Sequence, residues 1–600
     1  MVAEGLFKKY TKAAEEFRLL TLQQDRKLFL LSMLRLLCFA GGFFLSWYSF
    51  NLGIAQGILV LLLSLLLFVW LLKLYSDHTE KRDFLNNLSE INSREARAMD
   101  GDTSFFASGA EFSDKDHPFS SDIDIFGSTS VFQYLNRTVT SYGREILANW
   151  VSNPYLLSPN ILKRQETIKE LAGKEQWRQE FMAKGYKNPL EKKEISLLLD
   201  WLNEDGEYAT STFKRYMVII LPGTALIFLF LLIAGILPYS AFIFIFLVNL
   251  LFVAAGLKKT NRIHSILTRK YYFLLSMDSL LSSFGKEMFN SEILKEIKEK
   301  ITGKGVSASV SVRKLGRLIQ SFDTRLNMFV GIILNGLLLW DYQNIRRLEM
   351  WKSEYKAHFP VWLDMLGEVD AFISLGNYAF NNPGFSYPVL SSSDEMFSAT
   401  NIGHPLIKSG DRVCNDFIIP KRGSVGIITG ANMAGKSTFL RTIAVNYIFA
   451  MIGAPVCASE MKFRPVMLFT SMRTTDSLSD HESYFYAELK RLKHLKLLVD
   501  KGEPVMFILD EILKGTNSAD KSTGSKLFIK RLIVSGGTGI IATHDISIGE
   551  MEAVYPFKIF NKCFEVEIDG EDIRFDYILR DGITNKMNAA LLMKQMGILD

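Results

Sequence analysis

The sequence predicts an α/β P-loop domain toward its C-terminal end, in a chain that also carries four transmembrane helices in two hairpins. Three observations predict this. Residues 430–438 read "GANMAGKST", which completes the pattern G-x-x-x-x-G-K-[ST] from Gly430 to Ser437. The flanking stretches read as a buried strand ("SVGIITG") and a helix ("KSTFLRTIAVNYIFAMIG"), the setting a phosphate-cradling loop requires. Far upstream, runs such as "GILVLLLSLLLFVWLL" have the composition of a bilayer span.

Length and composition frame these elements. Six hundred residues suggest several domains, roughly three to four at about 150 residues each. Apolar residues make up 48% and charged residues 22%. These values are ordinary for a globular chain, yet the mean hydropathy is +0.12, so the excess must sit in a few long runs. A net charge of +5 is too small to argue by itself for nucleic acid. Cys38, Cys414, Cys457 and Cys563 form no C-x-x-C pair. They point to neither a disulfide framework nor a zinc site, and to a reducing compartment. The N-terminus is polar and mixed in charge, unlike a cleavable signal peptide.

The runs 28–50 and 52–72, separated by Asn51, read as a first hairpin. The runs 216–237 and 239–257 read as a second, turning at Pro238. Each approaches or exceeds the ~20 residues that cross the hydrocarbon core. Lys8, Lys9, Arg26 and Lys27 precede the first hairpin, and Lys73, Lys81 and Arg82 follow it; Lys214 and Arg215, then Lys258 and Lys259, flank the second. Basic flanks mark the cytoplasmic side. Both hairpins are therefore expected to dip out and return, giving a multi-pass inner-membrane protein with its other domains in the cytoplasm. Buried core helices are the competing reading, but four such runs with paired basic flanks are hard to place in a soluble core. Arg35 would cost ~2.5–3.5 kcal/mol at the bilayer centre. It is expected near the inner interface, with the span starting around Ser32. The run 328–340, which follows Asn327 and includes Asn335, is too short to span and is expected as a buried soluble helix. Four spans with few polar residues, Asn249 being the only strongly polar one in the last, suit an anchor better than a transport path.

The nucleotide site is expected to contain Gly430, Ala431, Asn432, Met433, Ala434, Gly435, Lys436, Ser437 and Thr438. Their backbone N–H groups and the following helix N-terminus suit ATP phosphates. Lys436 should reach the β- and γ-phosphates, and the Ser437 hydroxyl should bind Mg²⁺. A second strand, 505–509, ends in Asp510 and Glu511. Asp510 fits the acid that orders Mg²⁺, and Glu511 is placed to polarise the attacking water. The bland alternative for the pair is a solvated strand end. A third strand ("GTGIIATHD") ends in His544, a candidate γ-phosphate contact or, on the bland reading, a cap or surface residue.

"IITGANMAGKSTFLRT" resembles the MutS family of DNA mismatch-repair ATPases, with Asn432 and Met433 as the distinguishing residues. "LDEILKGTNSADK" resembles the family's element after the second strand, through Gly515, Thr516 and Asp520. "DSLSDHESYFYAELKRL" is similar to its signature loop: Asp476, Leu478, Ser483, Phe485 and Glu488 match, while His481 replaces the glycine and Tyr484 the threonine. "GHPLI", "CNDFII" and "GITNKMNAALLMKQMGI" are similar to the domain's entry and closing helix. "DIFGSTSVFQYLNRTVTSYGREILANWVSNP" and "RQETIKEL" resemble the core domain, and "LGEVDAFISLGNYAFNN" its lever helix. The resemblance covers roughly 120–210 and 260–600.

The resemblance implies an ABC-type, MutS-like ATPase domain at 386–600. It places an all-α core and lever in two parts, 101–213 and 260–385, around the second hairpin at 214–259, behind an N-terminal segment 1–100 that holds the first hairpin (about 28–72). It implies a homodimer with composite ATP sites, Ser483 facing the partner's γ-phosphate, and ATP binding and hydrolysis that control binding to mismatched, duplex or branched DNA. Three departures qualify this. Residues 1–100 carry a hairpin in place of an F-x-E mismatch-reading domain, the one similar stretch ("CFEVE", near Phe564) lying within the ATPase region. No nuclease tail or added dimerisation module is expected before Asp600. His481 removes a glycine that lets backbone approach phosphate, so turnover is expected to be slow. Lys300, Lys304, Arg313, Lys314 and Arg317 are the candidate phosphate-neutralising residues, with a solvated linker as the alternative. Two other function classes compete: an ABC-type ATPase for transport or membrane remodelling, and a mechanochemical scaffold that does not bind DNA.

Overall fold

A computed structural model describes the chain except residues 1, 155–156, 187–191, 205, 207–211, 304–306, 432, 473–483, 515–516, 570–571 and 585–600. Two very long helices open it, Val2–Leu52 and Ile54–Met99. They break at Gly53, two residues beyond the expected Asn51, and pack against each other as an antiparallel pair. At 1.5 Å per residue the first is about 75 Å long, so its apolar half is only the distal part. The proximal halves form a polar stalk that docks on the helical core. His78 Nδ1 meets Gln24 Oε1 at 2.9 Å across the stalk, and Tyr10 donates to Asn381 Oδ1 at 2.7 Å. Arg35 lies over the Tyr75 ring at 4.0 Å, where the stalk gives way to the apolar half.

The second hairpin comprises Thr212–Ile233 and Tyr239–Ala255, with Pro238 preceding the return helix. After Gly256 the chain bends by 64° into the helix Leu257–Leu267. Among the described residues, three helices are long and apolar enough to cross a membrane, or four if this bent pair is one span. The apolar windows of the first two are only 6% and 11% buried, which is the reverse of a core helix.

The run at 328–340 departs from expectation. It forms the helix Met328–Leu338, but it is not buried. Met328, Phe329, Val330, Ile332 and Ile333 are exposed, whereas Gly331, Asn335 and Gly336 face inward. The small and polar residues form the packing face, so apolarity alone misplaces this helix. It lies against both helices of the second hairpin.

The helical core is organised around His358–Asn381, buried along most of its length. Asp370 on this helix accepts from the backbone N–H of Val139 (3.0 Å) and Thr140 (2.8 Å), fixing the start of the helix Ser141–Ser152. At its far end Tyr378 donates to the Pro455 carbonyl at 3.2 Å and packs edge-on to Phe449 of the P-loop helix. One apolar cluster therefore runs from the core into the C-terminal domain.

That C-terminal domain contains β1 (Val389–Leu390), β2 (Phe397–Ile402), β3 (Asn415–Ile419), β4 (Val425–Gly430), β5 (Glu460–Phe463), β6 (Met467–Ser471), β7 (Val505–Asp510), β8 (Thr538–Thr543), β9 (Ile559–Phe564), β10 (Glu567–Asp569), β11 (Asp572–Arg574) and β12 (Leu579–Asp581). The main sheet has the order β12-β9-β4-β8-β7-β6, parallel except for β12. β4, β7 and β8 are near-continuous apolar runs because helices cover both faces. A smaller sheet has the order β1-β5-β2-β3. The C-terminal domain is thus a P-loop α/β fold behind a helical region.

Candidate nucleotide site

The ends of β4, β7 and β8 converge, as ligand sites do in parallel sheets. β4 runs into the loop 430–435, and the helix Lys436–Met451 starts at once behind it. The loop needs a left-handed backbone at Gly435 (φ 100°), where a Cβ would approach the Tyr577 ring to 2.9 Å. Met433 also has positive φ (65°) and is exposed.

Lys436 is turned onto its own loop. Its Nζ donates to the carbonyls of Gly430 and Ala431, both at 2.7 Å, and lies 3.2 Å from His544 Nδ1. Burial pushes its pKa down to about 8, with Asp510 and Glu511 opposing the fall. Ser437 Oγ donates to Asp510 Oδ2 at 2.5 Å. A hydroxyl and a carboxylate at this spacing form a hard-oxygen pair suited to Mg²⁺, so the residues present fit the expected ion.

Glu511 follows β7 in a left-handed conformation (φ 54°), as does Leu513 (φ 62°). Strained backbone of this kind gathers at functional sites. Its Oε1 accepts from Lys521 Nζ at 2.6 Å, and its Oε2 lies 3.6 Å from His544 Nε2 and 3.9 Å from Lys514 Nζ. Burial alone would raise its pKa; the Lys521 hydrogen bond and the charges of Lys521 and Lys514 outweigh this and lower it. His544 itself is lowered by burial and by Lys436, which favours a neutral ring. The loop after β7 is held by Glu488, which accepts from the backbone N–H of Leu513 (2.5 Å) and Lys514 (3.2 Å).

Lys436, Ser437, Asp510, Glu511, Lys514 and His544 line one cavity of about 640 Å³. It extends from Lys436, Ser437 and Glu511 past Phe439 to Ile402, His404 and Tyr577, giving a charged end and a largely apolar one. Of the expected site residues, Gly430, Ala431, Met433, Ala434, Gly435, Lys436, Ser437, Thr438, Asp510, Glu511 and His544 form or border this site. Asn432 and Ser483 lie outside the described residues, as do Asp476, Leu478, His481, Gly515 and Thr516. Lys521 was not anticipated. Its signal was a lysine next to Asp520 in the first turn of the helix Ser518–Val534, and its contact with Glu511, 10 positions earlier, is set by the fold.

Residues 426–596 match the family model of MutS domain V. The DNA mismatch repair protein MutS of Thermotoga maritima is 27% identical over 259 residues, 42% of this chain and 32% of that protein. The segment 426–596 is thus a MutS domain V. Within the family, the DNA mismatch repair protein MutS of Ruminiclostridium cellulolyticum is 32% identical over 220 residues, 35% of this chain and 24% of that protein. MutS protein homolog 4 of Mus musculus is 26% identical over 330 residues, 53% of this chain and 32% of that protein. The chain thus spans about a third or less of the length of these MutS relatives.

Two expected outcomes arise from the site. Lys436→Ala removes a charged donor and should weaken ATP binding by about 1.5–3 kcal/mol, read by titration with a fluorescent nucleotide. Lys521→Met removes the strongest influence holding the Glu511 pKa down. The acid limb of the turnover pH profile should then move to higher pH, because the ionised base persists only above its pKa. An unmoved limb would remove Lys521 from this role.

Proposed function

We propose that this chain is a membrane-attached MutS-family ATPase whose ATP binding and hydrolysis control its engagement of mismatched, duplex or branched DNA. The observation that carries the reading is the convergence of Lys436, Ser437, Asp510, Glu511 and His544 on one cavity, within the segment that matches MutS domain V. Lys436 leaves the loop carbonyls to meet phosphate, and the loop N–H groups with the helix N-terminus add fixed positive charge. Mg²⁺, when bound by Ser437 and Asp510, neutralises phosphate charge. Glu511 orients the attacking water and accepts its proton. Two chains complete each other's sites, with Ser483 facing the partner's γ-phosphate. Closure of that pair passes along His358–Asn381, whose contact with the P-loop helix through Tyr378 and Phe449 gives it a rigid lever. The exposed apolar hairpins support attachment to the inner membrane, with the other domains on its cytoplasmic side.

One observation favours the scaffold reading. Of the basic residues expected to face DNA, Arg313 is paired with Asp278 (2.7 Å) and Lys314 lies 3.9 Å from Glu354, while Lys304 lies outside the described residues. The test uses protein purified in detergent. ATP hydrolysis is measured with and without homoduplex, mismatched and branched DNA, with Lys436→Ala and Glu511→Gln as controls. Turnover that both substitutions abolish and DNA alters supports the reading. Turnover with neither DNA stimulation nor DNA binding at low salt leaves a scaffold or transport ATPase.

A further inference from the structure

We infer that the helix Met328–Leu338 is a fifth membrane element, a wedge immersed in the acyl chains of the leaflet nearest the helical core. The inference rests on the membrane reading of the hairpins and goes beyond it. Eleven residues make a helix of about 16 Å, roughly half the ~30 Å hydrocarbon thickness; it can enter a leaflet but not cross. No charged residue lies between Arg325 and Asp341. Its outward face is Met328, Phe329, Val330, Ile332 and Ile333, with Phe329 76% exposed. This face continues the exposed apolar surface of the second hairpin, where Phe230, Phe244 and Leu251 also point outward.

The inward face is built to lock onto that hairpin. Asn249, fully buried in the return helix, donates through Nδ2 to the Gly336 carbonyl at 2.7 Å. Gly336 has no room for a side chain, since a Cβ would lie 2.1 Å from the Phe246 ring. The polar residue in an otherwise apolar span therefore serves to hold the wedge. Immersion in lipid demands partners for the backbone groups at helix ends. At the start the Asn327 side chain accepts from Val330 N–H (3.2 Å); at the far end the Asn335 carbonyl accepts from Leu339 N–H (3.1 Å) and the Gly336 carbonyl from Asn249. At the foot, Arg325 pairs with Asp341 at 3.0 Å, and Trp340 donates to Thr324 Oγ1 at 2.7 Å. An indole with one wet edge suits the lipid–water boundary.

The test places p-trifluoromethylphenylalanine singly at Phe329, Phe244 and Phe557 in the full chain, reconstituted into phosphatidylcholine/phosphatidylglycerol vesicles. Phe557 is 85% exposed on the C-terminal domain and reports water. Fluorine resonances are recorded with a nitroxide on the lipid acyl chain, then with a soluble gadolinium chelate. Expected is loss of the Phe329 and Phe244 resonances with the lipid nitroxide, and of the Phe557 resonance with the chelate only. If Phe244 responds to lipid but Phe329 responds to the chelate, or to neither because a second copy of the chain covers it, the wedge is refuted and the membrane reading stands. If Phe244 itself behaves like Phe557, both fall.

Discussion

Glu511→Gln is expected to lower ATP turnover by about 10²–10⁴-fold, the usual worth of a positioned general base, while ATP still binds. The carboxylate lines the same cavity as Ser437 and Asp510. Its partners are Lys521, Lys514 and His544. The amide keeps the volume and loses the proton acceptor. Nucleotide affinity should stay near wild type, and the closed dimer should accumulate. Single-turnover hydrolysis and equilibrium nucleotide binding separate these effects. A variant that still hydrolyses ATP within a few-fold of wild type would remove Glu511 from the base role and point to His544, 3.6 Å away.

Glu95→Ala is expected to destabilise the fold by about 3–5 kcal/mol, the cost of leaving a buried charge uncompensated. Glu95 lies on the stalk helix Ile54–Met99, 2% exposed. It accepts from Arg137 Nε at 2.5 Å and from Asn381 Nδ2 at 2.8 Å, and Asn381 is in turn held by Tyr10. Three parts of the molecule meet here: stalk, core and lever helix. Arg137 also stacks on the Phe106 ring at 3.6 Å, so it cannot swing out to water without losing that packing. The denaturation midpoint in detergent should fall sharply for the single variant. Glu95→Leu combined with Arg137→Met should recover much of the loss, because it removes both charges. Equal loss in single and double variants would mean that shape, not charge, dominates the site.

The nucleotide site was legible because its determinants are local. A glycine-rich turn between a buried strand and a helix has one reading, and Asp510, Glu511 and His544 each end an apolar run. The helical character of the core followed from resemblance alone. What the sequence did not disclose depends on contacts between distant segments. The stalk was read only through its apolar half, although the far half of Ile54–Met99 buries Leu85, Leu88, Ile91 and Ala96 and pairs Asn92 with Gln179 at 3.1 Å. Met328–Leu338 was expected to be buried because it is apolar. Its packing face is set by Gly331, Asn335 and Gly336, and that choice makes sense only beside Asn249 and Phe246. Lys521 reaches back 10 positions to Glu511, a contact that no periodicity marks.

In the proposed cycle, nucleotide state governs DNA engagement. The most direct measurement is the affinity of Glu511→Gln protein for labelled homoduplex, mismatched and branched DNA, with and without ATP and Mg²⁺, at low and moderate salt. Expected is a salt-sensitive affinity that changes about tenfold or more when ATP is bound, a coupling within the usual 1–3 kcal/mol. DNA binding that is absent at low salt in both states, or identical with and without ATP, would contradict it.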